Sequence, residues 1–169
     1  MKAKMSHGNT NANHGTHSAT PMVVEPLTDT DAIASLLFMI EEEKMAMDVY
    51  ETLYEQTGLA IFDKIASSEE RHMDSLIKAA TALGVDTSAL STEAGVFTNE
   101  EIGTLYTTLI AQAALSTEDA LAVGALIEET DIADLQTAIA QTDVVLLGHV
   151  YNNLLNGSEH HLNAFEYYL

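Results

Sequence analysis

Apolar side chains recur at helical spacing along four long stretches of the chain, and no strand-like alternation persists long enough to compete. The first stretch predicts a helix from about Thr30 to Gln56. Ile33, Leu36, Leu37, Ile40, Glu43, Met47, Tyr50 and Tyr54 keep the period, and Gly58 supplies the stop. The second runs from about Ile61 to Leu83, with Phe62, Ile65, Glu69, His72, Leu76, Ala79, Ala80 and Leu83 on one face and Gly84 closing it. Ser116 or Thr117 caps a third long helix, with Glu118 and Asp119 in its first turn, where the helix dipole favours anions. It carries Leu121, Ala125, Glu128, Ile132, Leu135 and Ile139 inward. A break at 141–143 opens the fourth, with Val144, Leu147, Tyr151, Leu154, Ser158, His161, Leu162 and Phe165 inward.

Between the second and third long helices, 85–98 reads as a loop rich in Ser and Thr, followed by a shorter apolar-faced helix from Glu100 to Leu115. Two helices, a long crossover with an extra short helix, then two more helices predict an all-α four-helix bundle with one long connection.

Five places inside these stripes hold an ionisable side chain where an aliphatic one is expected: Glu43, Glu69, His72, Glu128 and His161. A lone buried carboxylate is costly, and several converging ones are tolerable chiefly when they share a cation. Glu69 and His72 are three apart, so a Glu-x-x-His pair presents an oxygen and a nitrogen ligand on one face, flanked by Ile65 and Leu76. Such a pair alone is common by chance; the apolar flanks favour the metal reading. Asp131, three residues after Glu128, adds a carboxylate to the same face, whereas Glu129 stands beside it.

Depth can be compared from the turns. Glu43 lies about 15 residues before Gly58, and Glu69 and His72 about 11 and 14 after it. Glu128 lies about 14 residues before Thr142 and Ser158 about 16 after it, with His161 one turn further. At 1.5 Å per residue all four helices can meet at one level. In the run Glu41-Glu42-Glu43 the stripe selects Glu43 as the inward member and sends Glu41 and Glu42 towards solvent or a neighbouring helix. Tyr50, two turns further on, is read with equal weight as core filler or as a hydrogen-bond donor to a ligand carboxylate. Glu159, His160 and His149 are expected at the surface or its boundary.

Composition narrows the class. The 169 residues suit one domain, here 27–169, preceded by a polar tail at 1–26 that holds His7, His14 and His17. Those histidines read first as incidental in a solvated tail and only second as weak metal binders. Both prolines, Pro21 and Pro26, lie at its end, so nothing later forbids long helices. The absence of cysteine excludes disulfides, thiolate-bound iron–sulfur clusters and cysteine catalysis. The formal charge of -20 argues against nucleic acid or an anionic membrane as partner; adaptation to salt explains such acidity as well as cation attraction does. No apolar run is long enough for a membrane span, and Lys2 and Lys4 lack the apolar core of a signal peptide. A soluble protein is expected, cytoplasmic or exported after loss of a signal peptide.

The runs Glu-Glu-Glu-Lys-Met-Ala-Met-Asp-Val-Tyr at 41–50, Ile-Ala-Ser-Ser-Glu-Glu-Arg-His-Met at 65–73, Ile-Glu-Glu-Thr-Asp-Ile-Ala-Asp-Leu at 127–135 and Gly-Ser-Glu-His-His-Leu-Asn-Ala-Phe at 157–165 resemble an uncharacterised bacterial and archaeal ferritin-like domain family, within the ferritin-like di-metal carboxylate superfamily. The resemblance covers about 30–169. It implies Glu43, Glu69, His72, Glu128 and His161 as the metal positions. It also exposes a departure, since Ser158 stands where the superfamily carries a second Glu three before the histidine. Asp131 or Glu129 compensates, water fills the place, or one metal alone binds tightly.

The function expected from the resemblance is metal binding, with iron first and manganese or zinc as alternatives, in a di-iron or mixed-metal centre. Ferroxidase, oxidase or peroxidase-like chemistry on dioxygen or peroxide goes with it, and a homo-oligomer is left open. The alternative is a non-enzymatic zinc- or copper-binding or stress-related structural protein. Met39, Met45, Met47 and Met73 raise the copper version, although methionine is more often helix-core filler.

Overall fold

The computed structural model describes residues 25–169, so the histidines at 7, 14 and 17 and nearly all of the expected tail lie outside the described residues. Five helices follow in order: α1 (Thr30–Thr57), α2 (Ala60–Ala82), α3 (Glu100–Ala113), α4 (Thr117–Gln141) and α5 (Val145–Tyr168). The long helices match the sequence periodicity because their ends carry local signals. Asp29 caps α1 by accepting from the backbone N–H groups of Asp31 and Ala32, and Gly58 ends it in the left-handed region at φ 68°. Ser116 caps α4 through the N–H of Asp119, and Asn99 caps α3.

α1 and α2 form one antiparallel hairpin and α4 and α5 the other; α1 also packs on α4 and α2 on α5, which closes a four-helix square. Tyr50 of α1 lies against Gly124 of α4 while Glu42 lies against Asp131 and Asp134, so α1 and α4 run antiparallel. The start of α1, the end of α2 and the α4–α5 turn therefore share one end of the bundle, where the Leu27 N–H donates to the Leu83 carbonyl. The chain must cross the length of the bundle between α2 and α4. Residues 83–99 cover part of that distance and α3 the rest, lying outside the square against α1 and α4.

This outer layer changes α1. Every residue from Met39 to Tyr50 is buried except the half-buried Met47. Glu41 does not face solvent: its carboxylate accepts from the backbone N–H groups of Thr98 and Asn99 at the start of α3. Lys44 pairs with Asp48 at 2.6 Å, donates to the Glu93 carbonyl at 2.8 Å and sits over the Phe97 ring. Asp48 also accepts from the Gly95 N–H at 2.9 Å. The polar outer face of α1 is thus the fastening for the crossover, and Tyr54, expected inward, is exposed.

Beneath the level of Glu43, Glu69 and Glu128, Tyr50, Phe62 and Phe165 form an aromatic core with ring centroids 5.4–6.2 Å apart. Gly124 makes room for it, since a Cβ there would sit 2.5 Å from the Phe165 ring. At the other side of that level, Leu36, Met39, Leu135, Leu147 and Leu154 fill the interior. The ionisable residues are therefore held between two apolar plugs.

Candidate metal centre

The square brings Glu43 (α1), Glu69 and His72 (α2), Glu128 and Asp131 (α4) and His161 (α5) to one level. The four carboxylates are buried and the two imidazoles nearly so. They form two groups, Glu43–Glu69–His72 and Glu69–Glu128–His161, with Glu69 in both. Nδ1 of His72 lies 2.7 Å from Oε2 of Glu69 and 3.4 Å from Oε2 of Glu43. Nδ1 of His161 lies 2.8 Å from Oε1 of Glu69 and 3.4 Å from Oε2 of Glu128. The Glu69 carboxylate thus turns one oxygen to each imidazole, and the rings face each other at 5.5 Å.

These short approaches are charge contacts without hydrogen-bond alignment. Nδ1 of both histidines, Oε1 of Glu43 and Oε1 of Glu69 are buried and lack a hydrogen-bond partner. Buried polar atoms are rarely left so. A donor set around a cation meets this description, because each atom then points at the ion and its neighbours are edges of one polyhedron. With metal–ligand distances of about 2.0–2.2 Å those edges measure roughly 2.9–3.5 Å. The two separations of 3.4 Å fall within that range, and those of 2.7 and 2.8 Å lie just below it. Two buried Glu/Glu/His clusters suited to a di-metal site are therefore present in the chain.

The charges support the same fit. Burial holds the Glu43 carboxyl well above its usual range, with Asp131 and Glu69 adding repulsion. Glu128 is pushed up to about 8 by burial, against the opposing pull of His161. Burial lifts Asp131 to about 6, moderated by the Ser158 hydroxyl. Burial would also raise Glu69, but His161 and His72 outweigh it and bring it down to about 2. The His161 imidazole shows the complement: burial opposes its charge, yet Glu128 and Glu69 carry it up to about 10. The metal-free site is short of positive charge, which a divalent ion supplies.

Neighbouring residues set the positions. Tyr50 donates its hydroxyl to Oε1 of Glu128 at 2.5 Å and lies 3.2 Å from the Gly124 carbonyl, which leaves Oε2 of Glu128 turned to His161. Ser158 is buried at the same level, where its hydroxyl donates to the Leu154 carbonyl at 3.0 Å. Of the two residues considered as replacements for a carboxylate there, Glu129 is exposed, whereas Asp131 is buried beside Ser158 with Oδ1 lacking a partner. Glu159, His160 and His149 are exposed. Met39 and Met45 are buried in separate apolar clusters and do not gather into a thioether site.

Glu42 was not singled out by periodicity. It is buried with Oε2 lacking a partner, and burial with the nearby Asp131 and Asp134 pushes it up to about 9. The signal available in the sequence was Asp134, which shares a face with Asp131 three residues earlier.

No helix among the described residues is long and apolar enough to cross a membrane. Residues 32–169 match the family described as "Uncharacterized protein domain (DUF2202)". Over 141 residues, 83% of this chain, the sequence is 40% identical to "Uncharacterized protein MJ0754" of Methanocaldococcus jannaschii, of which it covers 76%. The crystal structure of that hypothetical protein superposes with a TM-score of 0.79 at 41% identity, covering 83% of this chain and 79% of the other. With the five-helix order and the two Glu/Glu/His groups lying inside the matched span, the chain belongs to this uncharacterised DUF2202 family.

Proposed function

We propose that this chain is a ferritin-like di-metal carboxylate protein that binds two divalent transition-metal ions, iron first and manganese or zinc as alternatives, and oxidises ferrous iron or reduces peroxide there. The observation that carries this reading is the shared Glu69, with one oxygen facing each buried, unpartnered Nδ1. Glu43 and His72 would hold one ion, Glu128 and His161 the other, and Glu69 both. Asp131 stands beside Ser158 and would supply the carboxylate that α5 lacks. Glu43, Glu69, Glu128 and Asp131 then balance the charge of two divalent ions.

Mixed oxygen and imidazole donors suit iron, and two adjacent redox-active ions together supply electrons to dioxygen or peroxide. The chain's own residues arrange the rest. Tyr50 fixes the Glu128 carboxylate, and the aromatic core of Tyr50, Phe62 and Phe165 keeps water out below. Ser158 is neutral and small, so the α5 side of the site carries fewer anionic atoms than the α2 side. That asymmetry favours one other reading, a zinc-binding protein without turnover.

Loading with ferrous iron separates the two. Two irons per chain by elemental analysis, with an absorbance change that requires dioxygen or peroxide, are expected. One tightly held zinc and no redox response would leave only the binding role.

A further inference from the structure

We propose that Glu42 and Asp134 form an inlet in the α1–α4 groove through which divalent cations reach the dinuclear centre; this rests on the two-metal reading above. Asp134 is half-buried on α4, and the carboxyl group of Glu42 lies next to it from α1. Asp131, one turn further in on α4, is buried. The groove thus carries carboxylates at successive depths, from its rim to the centre.

Two further observations make this more than an acidic cluster. Oε2 of Glu42 and Oδ1 of Asp131 are buried and without a hydrogen-bond partner, in residues only 3% and 6% exposed. A cavity of about 10 Å³ is bounded by Glu42, Asp131, Glu43, Glu69 and Glu128 together with Ala46 and Ile127. That is close to the least space that admits one water-sized sphere. Carboxyl oxygens without donors in the residues around so small a void suit a desolvating cation, and Glu43, Glu69 and Glu128 of the two metal groups adjoin the same void.

The other approaches are less suited. Along the bundle axis, Leu135, Leu154 and the aromatic core close the two sides. The α2–α5 side presents the imidazoles His72 and His161, which carry no negative charge to draw a cation in. The half-buried Asp134 raises the local cation concentration at the rim and hence the rate of uptake, and Glu42 offers an unpartnered oxygen on the way in, with no need to alter final affinity.

The test uses cobalt(II) as the probe, added to the metal-free full chain and followed by stopped-flow visible absorption, with elemental analysis at equilibrium. Glu42→Gln and Asp134→Asn are each expected to retain two cobalt ions per chain while loading more slowly. The expected slowing is a few-fold to about tenfold for each. Glu129→Gln, an exposed change on the same helix, is expected to load like the unaltered chain. Unchanged loading rates in both variants with two ions bound would overturn the inlet. Loss of one ion at equilibrium in Glu42→Gln would also overturn it, because Glu42 would then be a ligand. If the unaltered chain takes up no cobalt, the two-metal reading itself falls and the inlet with it. Should Glu42→Gln fail to fold, Asp134→Asn on the groove rim decides alone.

Discussion

Gly157 of α5 touches the far edge of the His72 ring: a Cβ on this glycine would lie 2.5 Å from Nε2. The nitrogen across the ring, Nδ1, is the one that faces Glu69 and Glu43. A missing side chain on one helix thus sets the orientation of an imidazole on another. Gly157→Ala gains about 1 kcal/mol of helix propensity but forces an overlap that costs about 1–3 kcal/mol or a displaced ring. The expected result is one cation bound as before and the second weakened at least about tenfold, read by calorimetric titration. Two unaltered binding steps would show that His72 does not depend on this contact.

Tyr50 is fully buried, and its hydroxyl satisfies one oxygen of Glu128. Tyr50→Phe removes the donor and keeps the ring. Stability of the metal-free chain should drop by about 1–3 kcal/mol in urea titration, because a buried carboxylate oxygen loses its partner. Cation affinity should fall by about 10–100-fold through the loosened Glu128. Full affinity in the variant would argue that Glu128 is positioned by packing alone.

Lys44 and Asp48 are buried on the outer face of α1 and tie down the crossover through Glu93 and Gly95. Lys44→Met leaves Asp48 buried with its opposite charge gone, a change expected to cost about 3–5 kcal/mol. Limited proteolysis should then cut first between residues 83 and 99. Replacing both, as Lys44→Met with Asp48→Leu, should recover part of the loss, since no charge is left unpaired. Equal proteolysis of the parent and Lys44→Met chains would contradict this fastening role.

The pH dependence of the metal-free chain follows from the raised carboxyl groups. Glu42 at about 9 and Glu128 at about 8 lie above their unfolded values. Each favours the fold while protonated; that contribution is complete below about pH 4.5 and is lost as pH rises through the folded value. His161, raised to about 10, also loses its contribution on the alkaline side. Glu69, lowered to about 2, acts in the opposite sense and loses its contribution only as pH falls towards that value. Thermal unfolding with chelator should therefore show Tm falling between about pH 5 and 9. Divalent cations should raise Tm more at pH 8 than at pH 5, because binding displaces protons from these groups. Parallel Tm curves with and without cation would exclude the carboxyls as the binding groups.

The helices were legible because the apolar period runs through each and several ends carry a local signal: Gly58 for α1, Ser116 for α4, and the break at 141–143 before α5. Glu43 could be picked from three adjacent glutamates because Ile40 and Tyr50 define the same inward face. Glu41, Glu42 and Lys44 were harder, since their burial depends on the crossover and α4 lying against α1. A helix wrapped on every side has no solvent face for periodicity to reveal. Met47 and Tyr54 show the same limit in reverse, half-buried and exposed although they keep the stripe. Ser158 stands out only through the ferritin-like resemblance, which expects a carboxylate at that place. That Asp131, not Glu129, lies beside it follows from the fold, which buries one and exposes the other.

The most direct test of the central claim is anomalous diffraction from crystals of the full chain loaded with manganese(II) or ferrous iron under anaerobic conditions. Two peaks are predicted within about 2.0–2.3 Å of their donors, one among Glu43, Glu69 and His72 and the other among Glu69, Glu128 and His161. An occupied crystal with anomalous peaks only on surface carboxylates, and none beside Glu69, would contradict it.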